Sequence, residues 1–376
     1  MRPMLLTLPL LAGSLLFAAS SLHAQAGMGS SLDSDTPVDA AYSRAVVESL
    51  MVQVQARYVF ADKGATLAKA LRKRLQAREY DNITSGRVLA DSLTAHMQAV
   101  TFDGHMRVHY RQEPFPAQLD DDAPPEEVAR QLEEMRMRNF GFEQVRRLPG
   151  NVGYLDLRMF SGAPEAQPVA VAAMQFLSHC DALIVDLRRN GGGSPDMIQT
   201  LTTYLVADGD RLHLNDFYER EGDRTIQFHT ASQVPGKRLA GKPVYVLTSS
   251  LTGSAAEEFA YNVKSHKLGT VVGITSAGAA HPGGLFRLAP HHTAFIATGR
   301  AINPVTKTNW EGVGVKPDIE SPAHEALQRA HLLALDNLKA DAKDAGRSAL
   351  LERSIEAAKA MPIDKPEDFE RRRRRN

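Results

Sequence analysis

The feature that most constrains the fold is a series of short apolar runs that alternate with segments of helical periodicity. The runs have the length and β-branched content of buried strands: ALIVDL (182–187), PVYVLT (243–248), LGTVVG (268–273) and TAFIAT (293–298). Helices are predicted between and after them, near 167–178, 196–206, 254–267 and 323–343. This alternation predicts a mixed α/β core with helix-covered strands, and residues 142–320 are its expected body.

The segments around this body have other patterns. In residues 38–100 apolar side chains recur at helical spacing, which predicts three helices with a small shared core, either a packing domain or a cap. A strand is expected at Met106–Tyr110, and the Pro149-Gly150-Asn151 turn in FEQVRRLPGNVGYLDL predicts a hairpin. Residues 321–376 are expected to form a helical tail whose run Arg371–Arg375 is a solvated terminus.

The first 26 residues have the pattern of a cleaved secretory signal. An early Arg2 precedes an apolar run, and small residues at Ala24 and Ala26 offer the cleavage site. An uncleaved membrane anchor is the alternative, but the run is shorter than the roughly 20 apolar residues that a span needs. We therefore expect an exported, periplasmic protein with no membrane span after signal removal.

Composition excludes several classes of function. The chain has 44 Lys plus Arg and 44 Asp plus Glu, so it lacks the cationic surplus of a nucleic-acid binder. Its single cysteine, Cys180, excludes a disulfide framework and a multi-cysteine zinc site.

Two turns between a strand and a helix could carry chemistry. In DLRRNGGGSPD, the glycines Gly191, Gly192 and Gly193 let the backbone approach a ligand and offer amides to a phosphate or an oxyanion. Taken alone, this motif favours a plain turn. In TSSLTGSAAEEFAY, Ser254 opens a helix, where a nucleophile would lie beside free amides. The spacing of Ser254 and Glu257 also fits a capping box without chemistry, and spacing alone favours the cap.

A serine nucleophile needs a base, and His105 is the best placed of 13 histidines because it follows Gly104 at the start of a strand. An unperturbed histidine base would make activity rise with pH through about 6.5. His105 and His109 also form an H-x-x-x-H pattern, but a strand does not present it as a zinc site. The adjacent His291 and His292 should point to opposite faces and are expected at the surface.

Six motifs, in order along the chain, resemble the S41 peptidase family. They are DGH (103–105), LPGNVGYLDLRMF (148–160), ALIVDLRRNGGG (182–193), TSSLTGSAAEEFAY (248–261), GITSAGAAHPGG (273–284) and WEGVGVKPDIE (310–320). The sequence is most similar to the branch that contains tricorn protease and the interphotoreceptor retinoid-binding protein repeats. The resemblance implies a ClpP/crotonase-like mixed sheet, with a catalytic domain over 101–320 behind the N-terminal helices.

The resemblance also implies roles for individual residues. Ser254 would be the nucleophile, His105 the general base and Glu311 the group that orients the base. Ala255 and the turn of Gly191, Gly192 and Gly193 would supply the oxyanion donors. No metal or organic cofactor is implied, and the partner would be a peptide or protein substrate.

Departures from the family pattern leave alternatives open. The processing-protease branch pairs serine with lysine, but the corresponding position here is Ala279, which disfavours a Ser/Lys dyad, and Lys264 and Lys267 are expected on a solvated helix face. The interval between His105 and Asn151 is too short for a PDZ domain, and Gly104 stands where tricorn protease has serine. A retinoid or lipid carrier on the same scaffold and a serine esterase both remain alternatives to a peptidase. Trp310 is equally compatible with lining a pocket and with packing a turn.

Overall fold

The computed structural model describes residues 35–115 and 125–369. The predicted signal at 1–26 and the arginine run at 371–375 therefore lie outside the described residues. Nine helices are described: α1 (Ala40–Arg57), α2 (Ala61–Gln76), α3 (Gly86–Thr101), α4 (Pro125–Met137), α5 (Ala166–Leu177), α6 (Pro195–Thr203), α7 (Ala255–Ser265), α8 (Ala326–Ala340) and α9 (Ala345–Lys359). None of these described helices is long and apolar enough to cross a membrane.

Twelve strands are described, in three sheets. They are β1 (Arg107–Tyr110), β2 (Phe142–Leu148), β3 (Val152–Leu157), β4 (Ala182–Asp186), β5 (His213–Glu219), β6 (Arg224–His229), β7 (Val244–Thr248), β8 (Thr270–Gly273), β9 (Gly283–Ala289), β10 (His292–Ala297), β11 (Gly299–Ile302) and β12 (Ile319–Glu320). The mixed α/β architecture and the helical N-terminal region expected from the sequence are confirmed.

The central sheet has the order β12-β8-β7-β4-β3-β2. Its strands are parallel except for β2, which forms the predicted hairpin with β3. Side chains of β4 alternate between the two faces: Leu183 and Val185 pack beneath α5, α6 and α7, whereas Ala182 and Ile184 pack against α8 and α9. Because helices cover both faces, the central strands are apolar throughout, as parallel strands in α/β proteins usually are.

A second sheet, β1-β10-β9, packs against the N-terminal helices. Val46 and Leu50 of α1 share a core with Val108 of β1 and Ile296 of β10. The TAFIAT run therefore belongs to this sheet and not to the central one. The three predicted N-terminal helices are present, and strands β1, β9 and β10 complete their core.

One expectation from the sequence is corrected. His292 is not at the surface: it is fully buried, and its Nε2 lies 2.8 Å from the Gly86 carbonyl oxygen. It points inward because β10 is the middle strand of its sheet and α1 covers that face. The helix expected near 323–343 is present as α8, and a second helix, α9, follows it and packs on it.

Candidate active site

The two turns predicted from the sequence lie side by side at the carboxyl ends of β4 and β7, which are adjacent parallel strands. Hydrogen bonds join them: the Thr252 hydroxyl donates to the Leu187 carbonyl oxygen at 2.8 Å, and the Gly253 amide donates to the Asn190 carbonyl oxygen at 3.1 Å. In α/β sheets this edge is the usual place for a ligand site, since the amides of helix N-termini face it.

Ser254 has a backbone conformation that serine rarely adopts, with φ 53° and ψ −123°. An ordinary N-cap residue lies in the β region, so capping the helix does not require this geometry. Conformations of this kind cost about 1–3 kcal/mol and persist where the surrounding structure holds them, often at functional sites. Position 192 requires glycine. Its φ is 130°, and a Cβ there would lie only 2.8 Å from the Ser254 Cβ, which is too close for two carbon atoms.

Glu257 fixes the Ser254 turn to the loop that follows β8. Its Oε2 accepts the amides of Ser254 and Ala279, both at 2.9 Å. Its Oε1 accepts the Ser276 hydroxyl and the Gly278 amide, both at 2.6 Å. Burial raises the pKa of Glu257 to about 7, and these four donors oppose that shift because they favour the ionised acceptor. The capping-box glutamate is therefore also the anchor of a second loop.

Glu311 fixes the far end of the same loop to the segment that carries His105. Its Oε2 accepts the amides of Ala280 at 2.6 Å and His281 at 3.2 Å, and its Oε1 accepts the Gly104 amide at 3.1 Å. Burial and the nearby charge of Asp103 raise the pKa of Glu311. Through Glu257 and Glu311, the turns of Ser254 and His105 are held by one loop, residues 276–281.

A buried pair, Asp103 and His281, lies beneath this loop. The His281 Nδ1 is 2.8 Å from Asp103 Oδ2 and 3.6 Å from Glu311 Oε2. Burial disfavours ionisation of Asp103, but the hydrogen bond and the charge of His281 outweigh it and lower the pKa of Asp103. From the N-terminal helices, the Tyr58 hydroxyl donates to Asp103 Oδ2 at 3.3 Å, and the ring of Phe60 packs edge-on against His281.

His105 lies next to this pair, in the turn that precedes β1. Its amide donates to Asp103 Oδ1 at 3.0 Å, and its ring lies 5.4 Å from that of Phe295, centroid to centroid. Burial of the imidazole lowers its pKa to about 4, although the Asp103 carboxylate acts in the opposite direction. The imidazole is therefore neutral at pH 7, with a lone pair available to accept a proton.

The hydrogen bonds of a serine triad are not formed in this state. The His105 Nδ1 is buried without a hydrogen-bond partner, and no hydrogen bond within residues 35–115 and 125–369 joins its ring to Ser254 or Glu311. Glu311 instead accepts the amide of the neighbouring Gly104. Catalytic hydrogen bonds are often long or absent before substrate binds, so this arrangement keeps His105 as a candidate base.

The glycines predicted as oxyanion donors differ in availability. The Gly192 amide already donates to Asn190 Oδ1 at 2.9 Å and is therefore engaged within the turn. The Ala255 amide nitrogen lies 3.3 Å from the position a Gly192 Cβ would occupy, which places the start of α7 directly against the glycine turn. Gly191 and Gly193 flank this contact on either side.

Other residues singled out in the sequence have structural roles. Trp310 is buried, and its Nε1 donates to the Ala279 carbonyl oxygen at 3.0 Å, so it packs against the 276–281 loop. Lys264 is 2.9 Å from Asp318 Oδ1, and Lys267 is exposed.

Asp103, His281 and Glu311 are the one group within the described part of the chain whose possible metal-ligand atoms lie within 4.8 Å of one another. Their carboxylate oxygens already accept protein hydrogen bonds, namely those from Tyr58, Gly104, Ala280 and the amide and ring of His281, together with the amide of His105. We describe the group as a hydrogen-bonded cluster and assign no metal to it.

Sequence reasoning did not identify Glu257 as an anchor or Asp103, His281 and Tyr58 as members of the site. A signal was present for two of them, because Asp103 lies in the DGH motif and His281 in GAAHPGG. Tyr58 offered none: it lies at the end of a helix far from every motif.

Comparisons with known proteins agree with this architecture. Residues 151–321 match the family described as peptidase family S41, and residues 41–140 match the family described as the N-terminal domain of Peptidase_S41 in eukaryotic IRBP. A carboxy-terminal-processing protease of Bartonella bacilliformis is 26% identical over 185 residues, which are 48% of this chain and 41% of that protein. The match thus spans less than half of the curated relative.

Among solved structures, mature CPAF superposes with a TM-score of 0.55 at 13% identity, covering 84% of this chain and 98% of that one. A peptidase structure from Parabacteroides merdae gives 0.52 at 18% identity, with coverages of 87% and 98%. A lipoprotein from Streptococcus agalactiae gives 0.51 at 13% identity, with coverages of 82% and 99%. These likenesses show a shared fold, and the two family matches, which together include most of the chain, show that the protein belongs to peptidase family S41.

Proposed function

We propose that the protein is an exported serine peptidase that cleaves peptide bonds through an acyl-enzyme on Ser254. The observation that carries this proposal is the strained backbone of Ser254 at the start of α7. A serine that only capped the helix would relax into the β region, whereas a nucleophile gains from being held beside free amides.

In the proposed first step, the Ser254 Oγ attacks the carbonyl carbon of the peptide bond while its proton moves to the neutral His105 imidazole. The carbonyl oxygen becomes an oxyanion, for which the Ala255 amide and an amide of the glycine turn are the candidate donors. The tetrahedral intermediate collapses, the C–N bond breaks, and the leaving amine takes the proton from His105. Water then attacks the ester by the same route and releases Ser254.

In this scheme Glu311 positions His105 instead of contacting its ring. Its carboxylate binds the amide of Gly104, the residue before the base, as well as two amides of the 276–281 loop. The nucleophile and base turns are therefore held against a common support. Removing one oxyanion donor costs about 3 kcal/mol in other serine hydrolases, so small displacements of these turns should matter.

Labelling with a fluorophosphonate probe tests this proposal. We expect the purified protein to be labelled at Ser254 and the Ser254→Ala variant to be unlabelled. Absence of labelling in the unmodified protein, or equal labelling of the variant, would support a carrier of retinoids or lipids on this scaffold. Panels of peptides and simple esters then separate a peptidase from an esterase, since only a peptidase cleaves both amides and activated esters.

Export, with the periplasm as destination, is part of the proposal and is supported by the pattern of residues 1–26. N-terminal sequencing of the protein recovered from a cell envelope fraction tests it. A mature N-terminus after Ala24 or Ala26 is the expected result, and an intact Met1 in the cytosolic fraction would contradict it.

A further inference from the structure

The last described segment of the chain, residues 361–369, folds back onto two arginines that precede the glycine turn. The Asp364 Oδ2 lies 2.9 Å from the Arg188 Nη1. The ring of Phe369 is stacked by both guanidinium groups, with centroid distances of 4.4 Å to the Arg188 Cζ and 5.3 Å to the Arg189 Cζ. Phe369 is only 3% exposed, so this contact is a packed interface.

Arg188 has no solvent exposure and is held from several sides. Its Nε and Nη2 bind the two oxygens of Asp186 at 2.9 and 2.6 Å, and its Nη1 also donates to the Ala323 carbonyl oxygen at 2.7 Å. A buried guanidinium is costly unless its donors are satisfied. Asp364 and Phe369 add an ion pair and a cation–π contact to the Arg188 guanidinium. Without them, Asp186 and the Ala323 carbonyl oxygen would stabilise this buried charge only in part.

The backbone of Arg188 leads directly to the proposed catalytic turns. Its carbonyl oxygen accepts the Ser249 hydroxyl, and Ser249 begins the turn that ends at Ser254. Two residues further on, the Asn190 carbonyl oxygen accepts the Gly253 amide, and the Asn190 side chain binds the Gly192 amide. Displacement of Arg188 would therefore move both the glycine turn and the nucleophile turn.

Residues 361–369 lie outside the region that matches the S41 family, because that region ends at residue 321. The match includes Arg188, Arg189 and the glycine turn but neither Asp364 nor Phe369. The contact thus joins residues within the matched region to a terminal segment beyond it.

We propose that residues 361–369 are a positioning clamp for the active site, in which Phe369 and Asp364 hold Arg188 and thereby fix the glycine turn relative to Ser254. The inference about activity rests on the proposed function, whereas the inference about the turns does not. Neither residue contacts the reacting atoms, so both are positioning residues.

The test compares Phe369→Ala and Asp364→Asn with the conservative Phe369→Tyr and with a control, Leu351→Ala. Leu351 is fully buried in α9 and packs near the Gly150 turn, so its truncation destabilises the C-terminal helices without removing the contact to the arginines. The readouts are hydrogen exchange of peptides covering 187–193 and 249–254, and kcat and KM measured separately on a peptide substrate.

We expect Phe369→Ala to accelerate exchange in both turns by at least about tenfold, because a desolvated cation–π contact is lost. We expect kcat to fall about tenfold or more with KM changed less than about twofold, since the turns are misplaced in the transition state. Asp364→Asn should give smaller effects of the same kind, and Phe369→Tyr should restore values close to those of the unmodified protein.

Unchanged exchange in both turns for Phe369→Ala overturns the clamp, whatever the activity. An equal loss of kcat in Leu351→Ala also overturns it, since the effect would then be general destabilisation. If Phe369→Ala does not fold, Asp364→Asn decides in its place, because it keeps the packed ring. An unmodified protein that neither cleaves peptides nor reacts with the probe refutes the proposed function, and the exchange measurement still decides the clamp.

Discussion

Replacing Ser254 with glycine should abolish activity and make the protein more stable. The backbone at this position, with φ 53° and ψ −123°, is unfavourable for any residue with a Cβ and is accessible to glycine. Relief of strain is worth about 1–3 kcal/mol, whereas the extra freedom of glycine in the unfolded chain costs about 0.5–1 kcal/mol. The net expectation is a gain of about 1 kcal/mol in the free energy of unfolding.

Urea denaturation of the unmodified protein, Ser254→Gly and Ser254→Ala measures this gain. Ser254→Ala should also be inactive but should gain no stability, because alanine keeps the Cβ and hence the strain. A thermal midpoint is a secondary readout: with an unfolding entropy of about 2.1 cal/mol/K per residue, 1 kcal/mol shifts the midpoint of this chain by only about 1–2 °C.

Ser85 provides the matched control. It caps α3 with ordinary β-region angles, φ −117° and ψ 123°, and its hydroxyl accepts the Val88 amide at 3.0 Å. Replacing a regular N-cap serine with glycine costs about 0.3 kcal/mol. Here the change also removes the hydrogen bond that the Ser85 hydroxyl donates to Asp35 Oδ2, which adds to the loss of stability. The two Ser→Gly changes should therefore have opposite signs, and a loss of stability in Ser254→Gly similar to that in Ser85→Gly would refute the argument from strain.

Further predictions concern three titratable groups of the site. The pKa of His105 is lowered to about 4, so kcat/KM should fall only as the pH drops through about 4, and an acidic limb at about 6.5 would show that the base is not this buried imidazole. The folded pKa of His105 lies below the unfolded value of about 6.5, so His105 should also lower the free energy of unfolding as the pH falls from about 6.5 to about 4. In urea titrations, the His105→Gln variant should lack this pH dependence. Glu257→Gln places an amide opposite donors that need an acceptor, which should cost about 3 kcal/mol of stability and reduce kcat, as denaturation and rate measurements can check. A Glu257→Gln protein with full activity would mean that the anchor to the 276–281 loop is dispensable. Asp103→Asn leaves His281 without its anionic partner and should destabilise by about 3 kcal/mol at pH 7. The difference from the unmodified protein should shrink as the pH falls from about 3.9, the pKa of an unfolded aspartate, to the lowered pKa of Asp103 in the folded protein. A constant difference down to pH 2 would show that the charge of Asp103 is not what stabilises the pair.

Periodicity predicted the elements whose two faces differ sharply in polarity or that are apolar throughout. The helices of residues 38–100 and the strands β4, β7 and β8 belong to this group. Strands β5, with sequence HLNDFYE, and β6, with sequence RTIQFH, were not predicted because they are half-exposed and carry many polar side chains. Strand β9 begins with two glycines, which suggest a turn and not a strand.

For the site, local motifs identified residues but not their contacts. Ser254, His105 and Glu311 came from motifs, and the fold ties their turns to one loop. The hydrogen bond between Asp103 and His281 joins residues 178 positions apart, and no local pattern specifies such a pair. Glu257 illustrates a different limit: its spacing from Ser254 predicted one hydrogen bond correctly, whereas the three donors from the following loop depend on the packing of β8 beside α7.

The buried cluster beneath the 276–281 loop draws on parts of the chain that are made at very different times. Tyr58 and Asp103 are made early, whereas His281 and Glu311 are made more than 170 residues after Asp103. Before Glu311 is made, the Gly104 amide lacks the acceptor that it has in the folded protein. The proposed site therefore cannot assemble before residue 311 has been made, and a shorter growing chain lacks one of the carboxylates that hold it together.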